Sequence, residues 1–198
     1  HHSGGRLMAL VIKGSSSGQV TVDVPAAAGT NTLTLPAGTG NIITNTTAGI
    51  TLQTVSSILQ SEASSTTLMP FDNTIPQSSE GAEFTTAAIT AAHASNKFHV
   101  SVFAQVSSNG NTGRVIVALF QDSVANALAC GATQVSNSGG MITIAFDYIA
   151  AAGDTSEHTF KMRYGRPDAT TAYVNRTGSD LDLGNKISSG MIIREIAV

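Results

Sequence analysis

Charge is scarce in this chain. Only 12% of its 198 residues are Asp, Glu, Lys or Arg, about half the share usual in a soluble domain. With 41% hydrophobic residues, such a chain must hide surface against other subunits or hydrate it through Ser, Thr and Asn. The ten Lys and Arg are thinly spread and the net charge is −3. No basic stripe forms, which excludes nucleic acid as an expected partner. A single cysteine, Cys130, excludes an intramolecular disulfide and reads as a small core residue. No Cys/His set has zinc spacing, and no histidine pair has the i, i+4 or H-x-H spacing of a metal site, so no metal or cofactor is expected. The apolar run from Leu7 to Ile12 is far shorter than a membrane span, so insertion into a membrane is not expected. No segment has the length and caps of a long helix.

What is present is the alphabet of short strands. His1-His2-Ser3-Gly4-Gly5 reads as a purification-tag remnant, and residues 1–13 are set aside as tag and leader. Between residues 14 and 47, Val20, Val22 and Val24 alternate with Thr21 and Asp23 until Pro25. Leu33 and Leu35 alternate with Thr before Pro36, and Asn41 to Thr44 makes a third short run. β-Branched residues bounded by Gly, Pro and Asn are the strand signature. Strands this short do not hold a sheet in one chain, so this segment is expected to intertwine with identical copies as a fibre shaft. Residues 48–70 form a Ser/Thr-rich connector. Leu52, Val55 and Leu59 are spaced for a helical turn or a three-stranded neck, or are scattered apolar residues in a polar linker.

From residue 71 to 198 the pattern is that of a compact β domain. Phe98, Val100, Val102, Ala104 and Val106 point one way and His99, Ser101, Phe103 and Gln105 the other. Val115 to Phe120 is apolar on both faces and predicts a central strand. Ile142 to Tyr148 and Phe160 to Tyr164 alternate, and Met191 to Ile196 is two-faced apart from Arg194 and Glu195. With Glu83–Thr90 and Ala172–Asn175, seven or eight strands separated by Gly/Asn/Ser turns predict a sandwich or jelly roll.

Two stretches resemble bacteriophage tail-fibre sequence. One is Gly18-Gln-Val-Thr-Val-Asp-Val-Pro-Ala-Ala-Ala-Gly-Thr-Asn-Thr-Leu-Thr-Leu-Pro-Ala37. The other is an ordered set: Pro70-Phe-Asp-Asn-Thr-Ile-Pro-Gln77, Glu80-Gly81, Glu83-Phe84, Ala118-Leu-Phe-Gln-Asp-Ser123, Asn126-Ala-Leu-Ala129 and Ile192-Ile-Arg-Glu-Ile196. The set is similar to the C-terminal, receptor-binding region of such fibres and is more specific than the first stretch. The resemblance implies an all-β, homotrimeric jelly-roll head, similar in architecture to the tumour-necrosis-factor and C1q heads, on a short intertwined β stem. It implies an extracellular virion protein that binds a bacterial surface polysaccharide or outer-membrane protein. It carries no catalytic motif. A two-faced sheet then has one face under its partner sheet and the other under a neighbouring subunit. Phe103, Met191 and Ile193 in the head, and Val20, Val22, Leu33 and Leu35 in the stem, are the expected trimer-interface residues.

Enzymatic alternatives find little support in the residues. Gly14-Ser-Ser-Ser-Gly18 fits G-x-S-x-G, but a strand follows it where a nucleophile elbow needs a helix. His93, His99 and His158 could each serve as a base, but His99, with Ser101 and Phe103 on its face of an alternating strand, reads as an exposed or interface histidine. Asp180 with Asp182, or Asp154 with Glu157, could pair carboxylates as a polysaccharide-degrading tail spike requires, yet each reads as a solvated loop. Asp180, Asp182 and Asn185 could also offer oxygens to Ca²⁺. The irregular stretch 165–182 gathers Arg166, Asp168, Tyr173, Asn175, Arg176 and Asp180, an aromatic face with hydrogen-bonding groups, and is the candidate receptor loop. Three readings follow: a receptor-binding fibre tip, a polysaccharide-degrading spike, and a purely structural virion or baseplate module.

Overall fold

A computed structural model describes residues 10–13, 19–22, 48–109, 112–136, 140–178 and 182–198. The chain divides into two compact units, His1–Ile42 and Ile43–Val198. In the first, β1 (Leu10–Lys13) and β2 (Gln19–Val22) form an antiparallel hairpin with Leu10 opposite Val22 and Ile12 opposite Val20. Strand structure at Val20 and Val22 thus matches the alternation read there, while Leu33 and Leu35 lie outside the described residues. The G-x-S-x-G segment also lies outside them, between two strands.

The second unit holds β3 (Thr51–Leu59), β4 (Ala63–Ser65), β5 (Ala82–Thr90), β6 (Lys97–Ser108), β7 (Gly113–Gln121) and β8 (Ala129–Val135). It continues with β9 (Ile142–Ala151), β10 (Glu157–Gly165), β11 (Ala172–Val174) and β12 (Ser189–Ile196). One sheet has the order β5-β10-β7-β8, the other β3-β12-β6-β11-β4 with β9 on the far side of β6. The antiparallel pairs are nested: β7 with β8 lies inside β6 with β9, then β5 with β10, then β3 with β12. A long hairpin rolled into two sheets gives this order, so the unit is a jelly roll, as the strand count predicted. Side-chain bonds between the sheets fasten one edge: Gln53 of β3 donates to the Thr90 carbonyl, and Ser57 shares a hydrogen bond with Thr85.

Period-two patterning sets what is buried. On β6 the row Phe98, Val100, Val102, Ala104 and Val106 is fully or almost fully buried, while His99, Ser101, Phe103 and Gln105 face outward, half-buried. Phe160, Met162 and Tyr164 meet that row from β10. The Phe98 and Phe160 rings meet edge to face at 5.8 Å, and each such side chain contributes about 1.5–3 kcal/mol by leaving water.

Four expectations are corrected. The two-faced strand β7 is indeed central, but its outer face is covered by its own chain: Met69, with no exposed surface, closes over Ile116, Ala118 and Phe120. Met69 sits there because residues 68–81 form a loop with joined ends, Gly81 N donating to Leu68 O at 2.8 Å. Gly81 has φ 62°, and a Cβ on it would lie 2.6 Å from the Met69 methyl. Second, Met191 and Ile193 are completely buried in the chain's own core, because their parity on β12 points them inward, and they are unavailable to a neighbour. Third, the stretch 48–70 contains no helical turn. Leu52, Val55 and Leu59 lie on β3, where β12 supplies a hydrogen-bonding partner that overrides helical spacing. Fourth, Cys130 is exposed on the edge strand β8.

Candidate functional site

The jelly roll has two unlike ends. At its base, residue 50 enters beside the C-terminus, with Gly49 N donating to Ala197 O at 2.8 Å and Ala197 N to Ile50 O at 3.0 Å. The turns after β5, β7 and β9 are also at this end. The opposite end gathers the β6–β7, β8–β9 and β10–β11 connections. Loops held by a rigid sandwich, away from the point of attachment, are the natural place for recognition.

Of the six residues proposed for a receptor loop, three are structural. Asn175 (φ 61°) ends β11 and is buried; its Nδ2 donates to the carbonyls of Leu59 (2.9 Å) and Ser61 (3.0 Å). Ser189 donates to Asn175 Oδ1 at 2.6 Å and accepts from Gln105 N at 2.8 Å. β11 and β12 both pair with β6 along one side, so the chain leaves the sheet at Asn175 and returns at Ser189 through this clasp. Tyr173 is buried beneath the Arg176 guanidinium, 4.8 Å from its ring centre, and Arg176 pairs with Glu62 at 3.2 Å. Arg166 is only 2% exposed. Its Nε and Nη2 donate to the two oxygens of Asp168 at 2.9 and 3.0 Å, and that pairing pushes the Asp168 carboxyl down to about 2. Asp168 and Arg176 keep exposed surface; Asp180 lies outside the described residues. Sequence spacing could not tell which of these residues the sheets would swallow.

A pair that the sequence reading missed stands beside them. Phe71, 52% exposed, lies under the guanidinium of Arg114 with 4.2 Å from Cζ to the ring centre. The available signal was Arg114 itself, the one charge opening an otherwise apolar strand. Gln134, exposed, is its direct cross-strand partner.

The outer face of the larger sheet is the second candidate surface. Register aligns Ile58, Gly190, Phe103 and Ala145 in one row, and Ser56, Ile192, Ser101 and Asp147 in the next. A third row is Thr54, Arg194, His99 and Ile149, with His99 Nε2 3.1 Å from Asp147. Ile58 is 44% and Ile149 63% exposed, and Phe103 is half-buried. The smaller sheet differs: Lys161 donates to Asp122 O, Arg163 to the carbonyls of Glu80 and Gly81, and the outer face of β7 lies under the 68–81 loop, which itself exposes Leu68, Phe71 and Ile75.

The remaining titratable groups serve the base. His158 is buried, with Nδ1 3.1 Å from Asp122 and Nε2 3.3 Å from Asp154. Burial works to raise the Asp122 carboxyl, but the Thr159 N–H and His158 outweigh it and hold it low; the Ser156 N–H lowers Asp154. Glu195 is fully buried and accepts from Gln53 Nε2 and Asn96 Nδ2 (2.6 Å each) and Ala92 N (2.8 Å). Burial alone would raise its carboxyl; these donors, with the His93 N–H, hold it below the usual range. Among the described residues no group of three His, Cys, Asp or Glu converges to hold a metal, and no helix is long and apolar enough to cross a membrane. Asp154 and Glu157 share a solvent-exposed turn. A shallow cleft of about 350 Å³ beside β8, lined by Ile75, Pro76 and Leu128, contains no carboxylate pair.

No family model and no curated protein matches the sequence. Solved structures are similar at the level of a distant fold. The C-terminal domain of EclA, described as a sugar-binding protein, shares 13% identity with a TM-score of 0.33 over 74% of this chain and 87% of its own. The CBM22-1 xylan-binding domain of Paenibacillus barcinonensis Xyn10C shares 11% with a TM-score of 0.34, over 76% and 97%. The infectious bursal disease virus Gx strain structure shares 9% with a TM-score of 0.40, over 93% of this chain and 41% of that one.

Proposed function

We propose that this chain is the distal part of a phage tail fibre, which as a homotrimer adheres to the bacterial cell surface and performs no catalysis. The observation that carries this reading is the asymmetry between the two outer sheet faces. One has its central strand β7 covered by the chain's own 68–81 loop and carries fastened cations; the other leaves Ile58, Ile149, Phe103 and Ile192 in a regular, partly exposed array along the strands. A chain with so little charge has no reason to leave that array in water unless copies of itself cover it. Phe103 keeps its place as an interface residue, while Met191 and Ile193 are replaced by Ile58, Ile149 and Ile192. The ordered tail-fibre-like motifs run through this same unit, and the loop end faces away from the point where residue 48 joins it.

Sedimentation equilibrium tests the assembly. The expected species has three times the 20.2 kDa chain mass, and Ile149→Glu is expected to dissociate it without lowering strand content. A stable single subunit at micromolar concentration refutes the trimer. Fluorescently labelled protein is expected to adsorb to some bacterial strains and not others. Incubation with their surface polysaccharide is expected to release no reducing ends; steady release would replace this reading with the degrading spike, and adsorption to no strain with the purely structural module.

A further inference from the structure

We infer that Phe71, Arg114 and Gln134 form a subsite for an anionic group, carboxylate or phosphate, on a bacterial surface glycan. The inference rests on the adhesion reading above and names the chemistry of its ligand. Arg114 makes no ion pair or hydrogen bond among the described residues, although charge is scarce in this chain. Its Cζ lies 4.2 Å from the centre of the Phe71 ring, and its N–H groups are free to take a two-oxygen anion side by side. Gln134, directly across the strand pair, adds an amide that can serve a neighbouring hydroxyl.

A second guanidinium packs against the strand that carries Arg114. Arg166 lies against the backbone of Gly113, the residue preceding Arg114: a Cβ there would meet Nη2 at 1.9 Å. Two of its donors are taken by Asp168, while its buried Nη1 has no hydrogen-bond partner. Asp168 is matched by Arg166, so that pair adds no net negative charge beside Arg114, and Asp72 is held in its own turn by Thr74 N and Oγ1. Phe71 leaves about half its ring surface open for the apolar face of a sugar. The site lies at the loop end of the sandwich, opposite the base. Three copies in a trimer would make a weak subsite effective on a repetitive surface.

The test uses the whole protein with lipopolysaccharide and capsule purified from a strain it adsorbs to. One sample has its carboxyls reduced to alcohols and a second has its phosphates removed with hydrofluoric acid. Loss of one charge-assisted contact per subunit is expected to weaken binding at least about tenfold in Arg114→Gln, with Arg114→Lys partly restoring it and the melting temperature unchanged. Whichever chemical treatment abolishes the difference between wild type and Arg114→Gln identifies the anion. If adsorption persists while neither treatment nor Arg114→Gln alters it, the subsite is refuted and the adhesion reading stands. If wild type adsorbs to no strain, adhesion itself is refuted and the subsite falls with it.

Discussion

Glu195 offers the sharpest test of how the base of the jelly roll is held. Its carboxylate is fully buried on β12 yet accepts hydrogen bonds from β3 through Gln53 and from the β5–β6 turn through Ala92 and Asn96. Glu195→Ala takes the acceptor from the buried Asn96 amide and from Ala92 N, and leaves Gln53 with the Thr90 carbonyl alone. Each bond to a charged group is worth about 1.5–3 kcal/mol, and partial rehydration of the gap returns some of that, so a net loss of about 4 kcal/mol is expected. For a unit of this size the melting temperature falls by roughly 10 °C. Glu195→Gln keeps the shape but turns one acceptor into a donor that faces donors, and about 2 kcal/mol is expected. The pH dependence has a definite sign. The folded carboxyl titrates below its ordinary value of 4.5, so its contribution is complete above the unfolded value and is lost as pH falls through the folded one. The gap in melting temperature between wild type and Glu195→Gln, followed by circular dichroism, is therefore constant near neutrality and narrows below about pH 4.5. An Ala variant within 2 °C of wild type, allowing for about 0.5 kcal/mol of error, refutes the cage. A gap that widens on acidification refutes the sign.

Three further outcomes are expected. Met69→Ala should cost about 2–5 kcal/mol in urea unfolding and open the 68–81 loop to protease, because Met69 is the plug over Ile116, Ala118 and Phe120; an unchanged midpoint would mean that β7 needs another cover. Asn175→Ala should cost about 3 kcal/mol, by leaving the Leu59 and Ser61 carbonyls unpaired and by placing alanine at positive φ; Asn175→Gly, free of the second penalty, should recover about 1 kcal/mol of it. Gly113→Ala should push the Arg166 guanidinium off its seat and let the Asp168 carboxyl rise from about 2 toward its ordinary value, read by carbon-detected NMR titration; no movement would place the guanidinium elsewhere.

The strands of the head were legible wherever alternation was strict. Residues 98–106, 142–148 and 160–164 write their burial into every second position, and the two-faced run 115–120 correctly announced a central strand. What covers its second face was not legible, because Met69 acts from a Pro-bounded loop whose own sequence has no periodicity. β8 (Ala129–Val135) escaped notice because Ala, Gly and Thr at an edge give little contrast between its faces. β3 was obscured by Ser and Thr, which hydrate its outer face while Val55 alone marks the inner one. In the candidate loop, Arg166, Tyr173 and Asn175 look like recognition residues by type. Arg166 pairs with Asp168 and Tyr173 stacks under Arg176 within the same stretch, but the seat of Arg166 against Gly113 and the clasp of Asn175 on Leu59 and Ser61 depend on distant segments that no local pattern encodes.

The place of β12 decides when this molecule can finish folding. β12 follows the unit's other strands in the chain yet is an interior one, lying between β3 and β6, so Val55 and Val100 both wait for Ile193. A ribosome halted before residue 189 releases a chain whose sheet is split down its middle, with two unpaired edges where the native protein has none. Deleting the final strand should therefore abolish soluble expression, whereas loss of the three-residue edge strand β4 should be borne. Such order-dependent closure makes the insertion of β12 a late folding step, on the timescale of milliseconds to seconds common to long-range β topologies.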